Sequence, residues 1–494
     1  MITAESLCER AQIWARQGRY REAEAAYRDA IRTDPGRLRA YLGLGLVLRR
    51  QRRSAEAEAV FKQAILLKPD GVSAHLELGA ALFEQMRYAE AAAEFREAIR
   101  LRPGSPQAFV SLGLALSRRG DYAGAESAFR EALTLKPTDA IARTNLATVL
   151  RRQRKVTSAE IVHREALTRG IAPATVRRDL ADTLYEQAKY AEAAAAYREV
   201  LALTPQDAKT WRGLALSLER LGRLAEATSA YRDAIPLRPD DADLHYELGV
   251  ALGRQGRHAD AEIALRAAIR IRPDSVKARA NLALGLGRQG KHLEAESSYR
   301  EALALRPSHA TLRRGLGVAL YWQGRYAEAE AAFRDAVRIK PEYARAHSDL
   351  GEMLAEEHRY RESEAAYRAV IRITPDAPAP HTALAGVLLA QRRYADAAAE
   401  CREAIRLNFD EPRAHINLWD ALEFLGSYDE LEAAARAVIE RRPDHADAHA
   451  RLGRALFARG RYAEAAAAYQ TAVGLHPEVA RFRDGLAAAL SKVE

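Results

Sequence analysis

The stretch ARANLALGLGRQGKHLEAESSYREALALRP (278–307) decides the fold, because its pattern of small, apolar and turn residues returns every 34 residues. The stretch closes on Pro307, and proline recurs in the same phase at 35, 69, 103, 137, 205, 239, 273, 341, 375, 443 and 477. Ile171 and Phe409 occupy the two places that proline skips. Counting residue 4 as repeat position 1, fourteen repeats follow one another without insertion over 4–479.

Each repeat contains two apolar helix faces. Small and apolar residues at positions 4, 7, 8 and 11 mark one amphipathic helix, and those at 17, 20, 24 and 27 mark a second. A turn residue, Gly in eight repeats, stands between them, and proline at position 32 closes the unit because it cannot continue a helix. Each repeat is therefore predicted to be a helix–turn–helix hairpin, whose helices we call A and B.

The residues at the fixed positions carry a family resemblance. Leu at 7, Gly or Ala at 8, Ala at 20 and 27, Tyr or Phe at 24 and Pro at 32 resemble the tetratricopeptide repeat. The resemblance covers 4–479 and implies an all-α, right-handed superhelical solenoid of about fourteen hairpins. Residues 480–494 continue the helix A pattern and are expected to form a C-terminal capping helix. The stretches 278–307 and 344–354 are particularly similar to the repeats that precede the catalytic region of protein O-GlcNAc transferase.

Composition narrows the class of protein. The 494 residues include 76 Lys and Arg against 67 Asp and Glu, a formal charge of +9, and two cysteines, Cys8 and Cys401. Two cysteines so far apart exclude a disulfide framework and fit a reducing compartment. Charges near the N-terminus argue against a secretory signal, and the longest uncharged runs, of 15 residues, are too short to insert into a membrane. A cytoplasmic protein is expected, and its preference for Arg over Lys suggests a bacterial origin.

Two local motifs resemble functional sites, but the surrounding sequence argues against both functions. Residues 285–290, GLGRQG, match the dinucleotide fingerprint, but no strand precedes them and they lie in helix A and its turn. His445 and His449 have the spacing of two metal ligands on one helix face, but a predicted helix start separates them. Histidines at position 4 are interpreted as packing residues, and no Ser/His/Asp or Cys/His set can be nominated. We therefore expect no enzyme activity, no cofactor and no metal.

The resemblance implies that helix A lines a concave groove. Positions 2, 5, 6, 9, 12 and 13 would face this groove, and partners would bind there as extended peptides. Position 13 is arginine in seven of the first nine repeats and in none of the last five. Guanidinium groups favour carboxylate or phosphate partners, although a solvated face in an Arg-rich protein explains the row equally well. The row consists of Arg16, Arg50, Arg118, Arg152, Arg220, Arg254 and Arg288.

Other groove positions change along the chain. In the last five repeats, positions 12 and 13 carry candidate apolar anchors for a peptide, which could equally pack on each other across adjacent repeats. These are Tyr321, Trp322, Phe424 and Phe457. Asn at position 6 grips a peptide backbone in the transferase relatives, but here it occurs only as Asn145, Asn281 and Asn417, too far apart for a continuous ladder. No repeat has the Lys and Asn of the carboxylate clamp in chaperone-binding relatives.

Three repeats break the pattern. Repeat 5 has His163 at position 24 and Ile171 in place of proline. Repeat 7 has Pro236 in the last turn of helix B, where a kink is expected. Repeat 13 has Trp419 at the close-packed position 8 and Ala435 in place of the aromatic at 24, which predicts compensated repacking.

The leading functional hypothesis is a non-enzymatic scaffold that binds extended or acidic segments of partner proteins in its groove. A first alternative is a separately encoded targeting or substrate-binding subunit of a glycosyltransferase. A second is a nucleic-acid-binding repeat protein, suggested by the Arg row but disfavoured because base-stacking aromatics and a side-chain code for bases are missing. The identity of the partner and the oligomeric state do not follow from the sequence.

Overall fold

The computed structural model describes residues 3–170 and 174–493, so that Ile171 lies outside the described residues. The chain forms two compact units, residues 1–255 and residues 256–494. Across the described residues the regular secondary structure is helical throughout. The predicted all-α class with helix–turn–helix repeats is confirmed.

The helices follow the 34-residue period, with helix A odd-numbered and helix B even-numbered up to α15. In the first unit they are α1 Ala4–Arg16, α2 Tyr20–Thr33, α3 Leu38–Arg50, α4 Ser54–Leu67, α5 Val72–Glu84, α6 Tyr88–Leu101, α7 Pro106–Arg119, α8 Tyr122–Leu135, α9 Ala140–Arg152, α10 Val156–Thr168, α11 Ala174–Glu186, α12 Tyr190–Leu203, α13 Ala208–Arg220, α14 Leu224–Ala234 and α15 Ala242–Arg254. A short 3-10 turn, Ile235–Leu237, follows α14.

The second unit continues the same alternation from helix B of repeat 8. Its helices are α16 His258–Ile271, α17 Val276–Arg288, α18 His292–Leu305, α19 Ala310–Tyr321, α20 Tyr326–Ile339, α21 Ala344–Glu356, α22 Tyr360–Ile373, α23 Pro378–Ala390, α24 Tyr394–Leu407, α25 Pro412–Leu425, α26 Tyr428–Arg441, α27 Ala446–Ala458, α28 Tyr462–Leu475 and α29 Ala480–Leu490. The last helix, α29, buries Phe482 and Ala489 against the hairpin before it.

Close packing explains the alternation of small and aromatic residues. A Cβ built on Gly45 at position 8 would lie 2.3 Å from the ring of Phe61 at position 24 of the same repeat. A Cβ on Gly213 at position 6 would lie 2.5 Å from Tyr197 at position 24 of the preceding repeat. The aromatic ring therefore fills the space between two A helices, and small residues leave room for it.

A buried polar network connects helix B of one repeat to the turn between helices A and B of the next repeat. Glu24 at position 21 accepts hydrogen bonds from Gln51 at 3.0 Å and from Arg53 at 2.9 Å, which are positions 14 and 16 of the next repeat. The corresponding carboxylate in repeat 5, Glu160, is 7% exposed. Burial alone raises its pKa, but hydrogen bonds from Lys189, Arg164 and Gln187 outweigh burial and lower the pKa to about 2. Sequence reasoning missed this network because it relates three positions of two different repeats.

The irregular repeats behave as their residues predict. Helix α14 ends at Ala234, and the chain continues as the 3-10 turn that contains Pro236. Trp419 is 1% exposed and Ala435 is fully buried, as compensated repacking of repeat 13 requires, and the repacking itself stays a prediction. His163 lies buried at the aromatic position of repeat 5, and its Nε2 atom has no hydrogen-bond partner among the described residues.

Histidine side chains at position 4 form contacts where one repeat connects to the next. His75 contacts the carbonyl oxygen of Pro69 at 3.0 Å and Glu94 at 2.7 Å. Trp211, at the same position of repeat 7, donates from Nε1 to the carbonyl oxygen of Pro205 at 2.9 Å. The ring at position 4 thus binds the carbonyl group at position 32 of the preceding repeat, which supports the interpretation of these histidines as packing residues.

Candidate functional site

The A helices of adjacent repeats are connected by side chains 35 residues apart. Position 12 of one repeat meets position 13 of the next, as where Arg49 reaches Glu84 at 2.6 Å. Position 5 meets position 6 in the same way, as where Arg212 donates to Glu247 at 2.8 Å. Burial raises the pKa of Glu247, and the guanidinium of Arg212 opposes that rise. We call the surface that carries positions 2, 5, 6, 9, 12 and 13 the helix A face.

All seven arginines of the predicted row are exposed on the helix A face. Within the part of the chain that the structure describes, the side chains of five of them form no hydrogen bond or ion pair. These five are Arg16, Arg50, Arg118, Arg152 and Arg288. The other two have neighbours that interact with them, since Arg254 pairs with Glu219 at 3.2 Å and the adjacent hydroxyl group of Tyr185 raises the pKa of Arg220.

The two interruptions of the row have a physical reason. Glu84 and Glu186 stand at position 13 in repeats 3 and 6, and each follows a repeat with arginine at position 12. Arg49 binds Glu84, and Arg151 donates from Nε to Glu186 at 3.0 Å. A glutamate at position 13 is therefore neutralised by the arginine at position 12 of the preceding repeat. Most of the arginines at position 13 have no such charged partner among the described residues.

The candidate apolar anchors pack on the preceding repeat and stay accessible. Trp322 is 64% exposed and stacks on His292, with ring centroids 6.0 Å apart. Phe424 is 67% exposed and stacks on Tyr394 at 4.9 Å. In both pairs a ring at position 13 lies over a ring at position 17 of the previous repeat.

The other two members of this set are less available. The hydroxyl group of Tyr321 binds Glu356, and that hydrogen bond raises the pKa of Tyr321 to about 12. Phe457 is half-buried and packs edge-on against Tyr462 at 5.2 Å. The accessible apolar surface at position 13 is thus centred on Trp322 and Phe424.

The three asparagines at position 6 bind the backbone of the protein itself. Asn145 donates to the carbonyl oxygen of Ile141 at 2.8 Å, and Asn281 donates to that of Lys277 at 2.9 Å, both within one helix. Asn417 reaches across to repeat 12 and donates to Thr382 at 3.2 Å. The structure brings none of the three together with another.

A cavity of about 440 Å³ opens on the helix A face of repeats 5–8. Its walls come from α9, α11 and α13 and from the segment that leads into α15. Leu216 and Leu244 supply apolar wall, while Lys209 and Arg238 supply positive charge. Tyr197 also lines the cavity and donates from its hydroxyl group to Asp182 at 2.5 Å. Sequence reasoning did not find this cavity, because its residues come from four repeats.

A second, more polar cavity of about 600 Å³ lies beside it and shares the Arg151–Glu186 pair as a wall. Arg152 and Arg154 line this second cavity together with Thr148. Arg152, which belongs to the predicted Arg row, therefore lines a concave surface together with the guanidinium groups of Arg151 and Arg154.

Family comparison agrees with this geometry. The tetratricopeptide repeat model matches residues 8–66, 48–106, 110–174, 178–242, 229–276, 281–344 and 416–480. A second model of the same description matches residues 323–387. The chain belongs to the tetratricopeptide repeat family. No curated protein matches the chain, and its similarity to the O-GlcNAc transferase repeats stays a prediction.

Solved structures resemble this tetratricopeptide repeat protein at low identity. The crystal structure of the APC/C hetero-tetramer Cut9-Hcn1 is 14% identical, with 83% of this chain and 95% of that chain covered and a TM-score of 0.40. The MamA protein is 23% identical over 35% of this chain and 94% of its own, with a TM-score of 0.33. YrrB, described as a TPR protein with an unusual peptide-binding site, is 22% identical over 38% of this chain and 96% of its own, with a TM-score of 0.34.

Two sequence motifs that resemble a dinucleotide site and a metal site have structural roles in this tetratricopeptide repeat protein. Gly285 and Gly287 lie inside α17, and Gly290 forms the turn after it with a φ angle of 76°. His445 caps α27 by accepting from the amide of Ala448, and His449 contacts the carbonyl oxygen of Pro443. Among the described residues no group of three or more His, Cys, Asp or Glu is placed to hold a metal, and no helix is long and apolar enough to cross a membrane.

Proposed function

We propose that this tetratricopeptide repeat protein is a scaffold that captures acidic segments of partner proteins on the helix A face of its first unit. The family's repeats are typical of non-catalytic interaction scaffolds. The observation that carries the proposal is the set of exposed arginines at position 13 that lack a partner among the described residues. A carboxylate or phosphate group can satisfy such guanidinium groups through two parallel hydrogen bonds.

The distribution of charge supports this choice of partner. Residues 1–255 contain 40 Lys and Arg against 33 Asp and Glu, whereas residues 256–494 contain 36 against 34. The first unit therefore holds most of the excess positive charge, along with six of the seven arginines of the row. Acidic partners would be drawn to this unit before they make contact.

The exposed rings of the second unit suggest a different kind of contact there. Trp322 and Phe424 present open faces at the position where the first unit presents arginine. Large aromatic side chains of this kind often anchor an interface. We propose that the second unit takes an apolar side chain of the partner.

Replacing Arg118 and Arg152 by Glu tests the acidic preference. Both side chains are exposed and unpaired among the described residues, so the reversal should leave the fold intact. We expect the affinity for a fluorescein-labelled peptide of alternating Glu and Ser to fall by roughly tenfold or more, since each exposed charge contact contributes up to about 1 kcal/mol and reversal adds repulsion. Fluorescence anisotropy at low and high salt measures the change, and binding to the wild type should weaken as salt rises.

The matched control replaces Arg96 and Arg232 by Glu. These arginines are exposed on helix B, also without an ion pair among the described residues, and their reversal changes the net charge by the same amount. If both double variants lose the peptide equally, only net charge matters and the site proposal fails. If single-stranded oligonucleotides compete at lower concentration than the peptide, a nucleic acid is the favoured partner instead.

Replacing Trp322 by Ala tests the apolar contact of the second unit. We expect weaker binding of a peptide with a central Phe and little dependence of that binding on salt, because burial of an apolar side chain is not screened. Ile263 is 71% exposed on helix B of the same unit, and Ile263→Ala is the control. Equal losses in the two variants would contradict a specific anchor at Trp322.

A further inference from the structure

Three aromatic rings meet where α19 ends and α20 begins. Tyr321 packs edge-on against Trp322, with ring centroids 5.5 Å apart, and against Tyr326 at 5.6 Å. Trp322 stays 64% exposed and Tyr326 45% exposed, although His292 stacks on the indole ring. The cluster therefore offers aromatic surface to a partner, and such surface attracts a cation as well as an apolar group.

Two carboxylates of α21 lie beside these rings. The hydroxyl group of Tyr321 donates to Glu356, and Glu352 lies one helical turn earlier on α21. The hydrogen bond to Glu356 raises the pKa of Tyr321, and the negative charges of Glu356 and Glu352 add to the rise. Neither carboxylate forms an ion pair among the described residues. Two like charges four residues apart on one helix repel each other, so a cation from outside would relieve them.

The cations of the surrounding repeats do not neutralise this pair. Arg325 and Arg359 are each held by a glutamate of helix B, at 2.7 and 2.8 Å. Arg288 belongs to the repeat before Trp322, whereas Glu356 belongs to the repeat after it. The surface on the repeat 11 side of Trp322 therefore combines open aromatic rings with unpaired negative charge.

Trp14 shows what the chain itself places against an accessible indole ring. The guanidinium carbons of Arg10 and Arg19 lie 5.2 and 5.4 Å from the centroid of Trp14. Among the described residues no Lys or Arg lies over Trp322 in this way. The ring of Trp322 is therefore open to a cation that a partner supplies.

Phe424 provides an internal comparison. It is 67% exposed at the same repeat position as Trp322, but its neighbour Glu423 pairs with Arg451 at 2.7 Å and with Arg454 at 2.9 Å. The carboxylate beside Phe424 is thus already neutralised. Negative charge without a partner distinguishes the surface around Trp322 from the surface around Phe424.

We infer that repeats 10 and 11 bind an arginine side chain of a partner segment, with the guanidinium plane on Trp322 and its N–H groups directed to Glu352 and Glu356. A guanidinium group is planar and weakly hydrated, and it stacks on an aromatic face while donating to carboxylates. The inference rests on the proposed contact at Trp322 and narrows it, because arginine presents an apolar stem together with a charge. It does not involve the arginines of the first unit.

The test uses the full chain and fluorescein-labelled peptides that differ only in their central residue, which is arginine, citrulline, lysine or phenylalanine. Citrulline has the shape of arginine without its charge. Fluorescence anisotropy should show about fivefold or greater preference for arginine over citrulline at low salt, and the preference should shrink as salt rises. Equal binding of these two peptides, or equal binding of arginine and lysine, would overturn a guanidinium site.

Replacing both Glu352 and Glu356 by Gln tests the role of the carboxylates. Glutamine can still accept from the hydroxyl group of Tyr321, so the variant should fold, bind phenylalanine as before and lose its preference for arginine over citrulline. Glu342→Gln with Glu440→Gln is the matched control, because both side chains are exposed in the same unit without an ion pair among the described residues. Equal losses in the two double variants would mean that net charge alone acts and would overturn the site.

Replacing Trp322 by Ala separates this inference from the proposed apolar contact. The variant should lose affinity for the arginine peptide, whereas Phe424→Ala should retain it. If the wild type binds phenylalanine more tightly than arginine at low salt and Trp322→Ala loses it, the apolar contact stands and arginine is the wrong occupant. If Trp322→Ala binds both peptides as the wild type does, both proposals fail.

Discussion

The turn residue at position 15 has a left-handed backbone whether or not it is glycine. Ala188 has a φ angle of 59°, and Gly222 in the next repeat has 75°. A residue with a Cβ is strained there, while glycine costs more entropy on folding, which leaves a net preference for glycine of about 0.5–1 kcal/mol.

We expect Ala188→Gly to stabilise the first unit by about 0.5–1 kcal/mol and Gly222→Ala to destabilise it by a similar amount. A Cβ at Gly222 would meet no atom within 4 Å, so the second change tests backbone strain alone. Urea unfolding followed by circular dichroism measures both variants. Changes of the same sign would contradict the explanation.

His163 makes the stability of repeat 5 sensitive to pH. Burial lowers the pKa of His163 to about 4, and the charge of Arg151 adds to the effect. The side chain is neutral in the folded protein but takes up a proton near pH 6.5 when unfolded. Stability is therefore full above about pH 6.5 and falls as the pH drops toward 4, by up to about 3 kcal/mol.

Replacing His163 by Phe should remove this dependence. Phenylalanine occupies the same position in several repeats and carries no charge. Hydrogen exchange of the amides in α10 should slow at pH 5 in the variant relative to the wild type at the same pH. A variant that is equally pH-sensitive between 4 and 6.5 would show that another group titrates.

At the scale of helices, the buried glutamate at position 21 joins one repeat to the next. Arg164 pairs with Glu160 at 2.7 Å and with Glu192 at 2.8 Å, but the side chain of Glu160 is 9% exposed and that of Glu192 is 53% exposed. We expect Glu160→Ala to destabilise the unit by about 2 kcal/mol, since it removes charged hydrogen bonds from three donors. Glu192→Ala should cost less than about 1 kcal/mol.

The pH dependence separates these two carboxylates as well. With a folded pKa of about 2, Glu160 stabilises the protein above pH 4.5, and that contribution is lost as the pH falls toward 2. Urea unfolding at pH 7 and pH 3.5 measures the effect. Equal destabilisation by the two alanine variants would mean that burial of the pair is unimportant.

Repeat 13 offers a test of volume exchange between helices A and B. Trp419→Gly should destabilise the second unit by about 3–5 kcal/mol, because it empties a fully buried position. Adding Ala435→Phe restores the arrangement of Gly45 and Phe61, so the double variant should recover much of that loss. Thermal unfolding of the single and double variants measures the coupling, and simple additivity would contradict compensated repacking.

Features that are determined within a single repeat could be predicted from the sequence. Features that form between neighbouring repeats could not. The hairpin, its turn and the break at Pro236 reflect local backbone rules, and the exchange of Trp419 and Ala435 reflects volume. The pairing of Arg49 with Glu84 depends on the angle between neighbouring hairpins, which the sequence does not state. The cavity beside Lys209 needs side chains from four repeats, and no pattern within one 34-residue period predicts it.

At the scale of the whole chain, stability should be lowest near repeat 5. Its helix B has Ser158 at position 19, where twelve of the other thirteen repeats have an acidic residue, and among the described residues Lys155 pairs with Glu126 alone. His163 adds an unpartnered nitrogen among the described residues. In a stack of repeats each unit is stabilised chiefly by its neighbours, so hydrogen exchange should be fastest over 156–170 or at the chain ends. Uniform protection would count against this expectation.

One uninterrupted stack from residue 4 to residue 479 also remains a prediction. If the repeats are coupled throughout, Glu160→Ala should change hydrogen exchange beyond the repeats that contact it, with an effect that declines from one repeat to the next. Hydrogen exchange resolved by mass spectrometry checks this. An effect confined to one repeat would contradict coupled stacking.

The pairs formed by side chains 35 residues apart restrict which repeats can be neighbours. Recombination that removes a repeat therefore brings together new side-chain partners. Loss of any 34 residues keeps the helices in phase, yet the partners across the new junction differ. Loss of 174–207 would set Arg151 against Arg220, two like charges. Loss of 208–241 would instead set Arg178 against Glu247, an attractive pair. Inherited changes in repeat number should therefore be tolerated at some junctions and selected against at others.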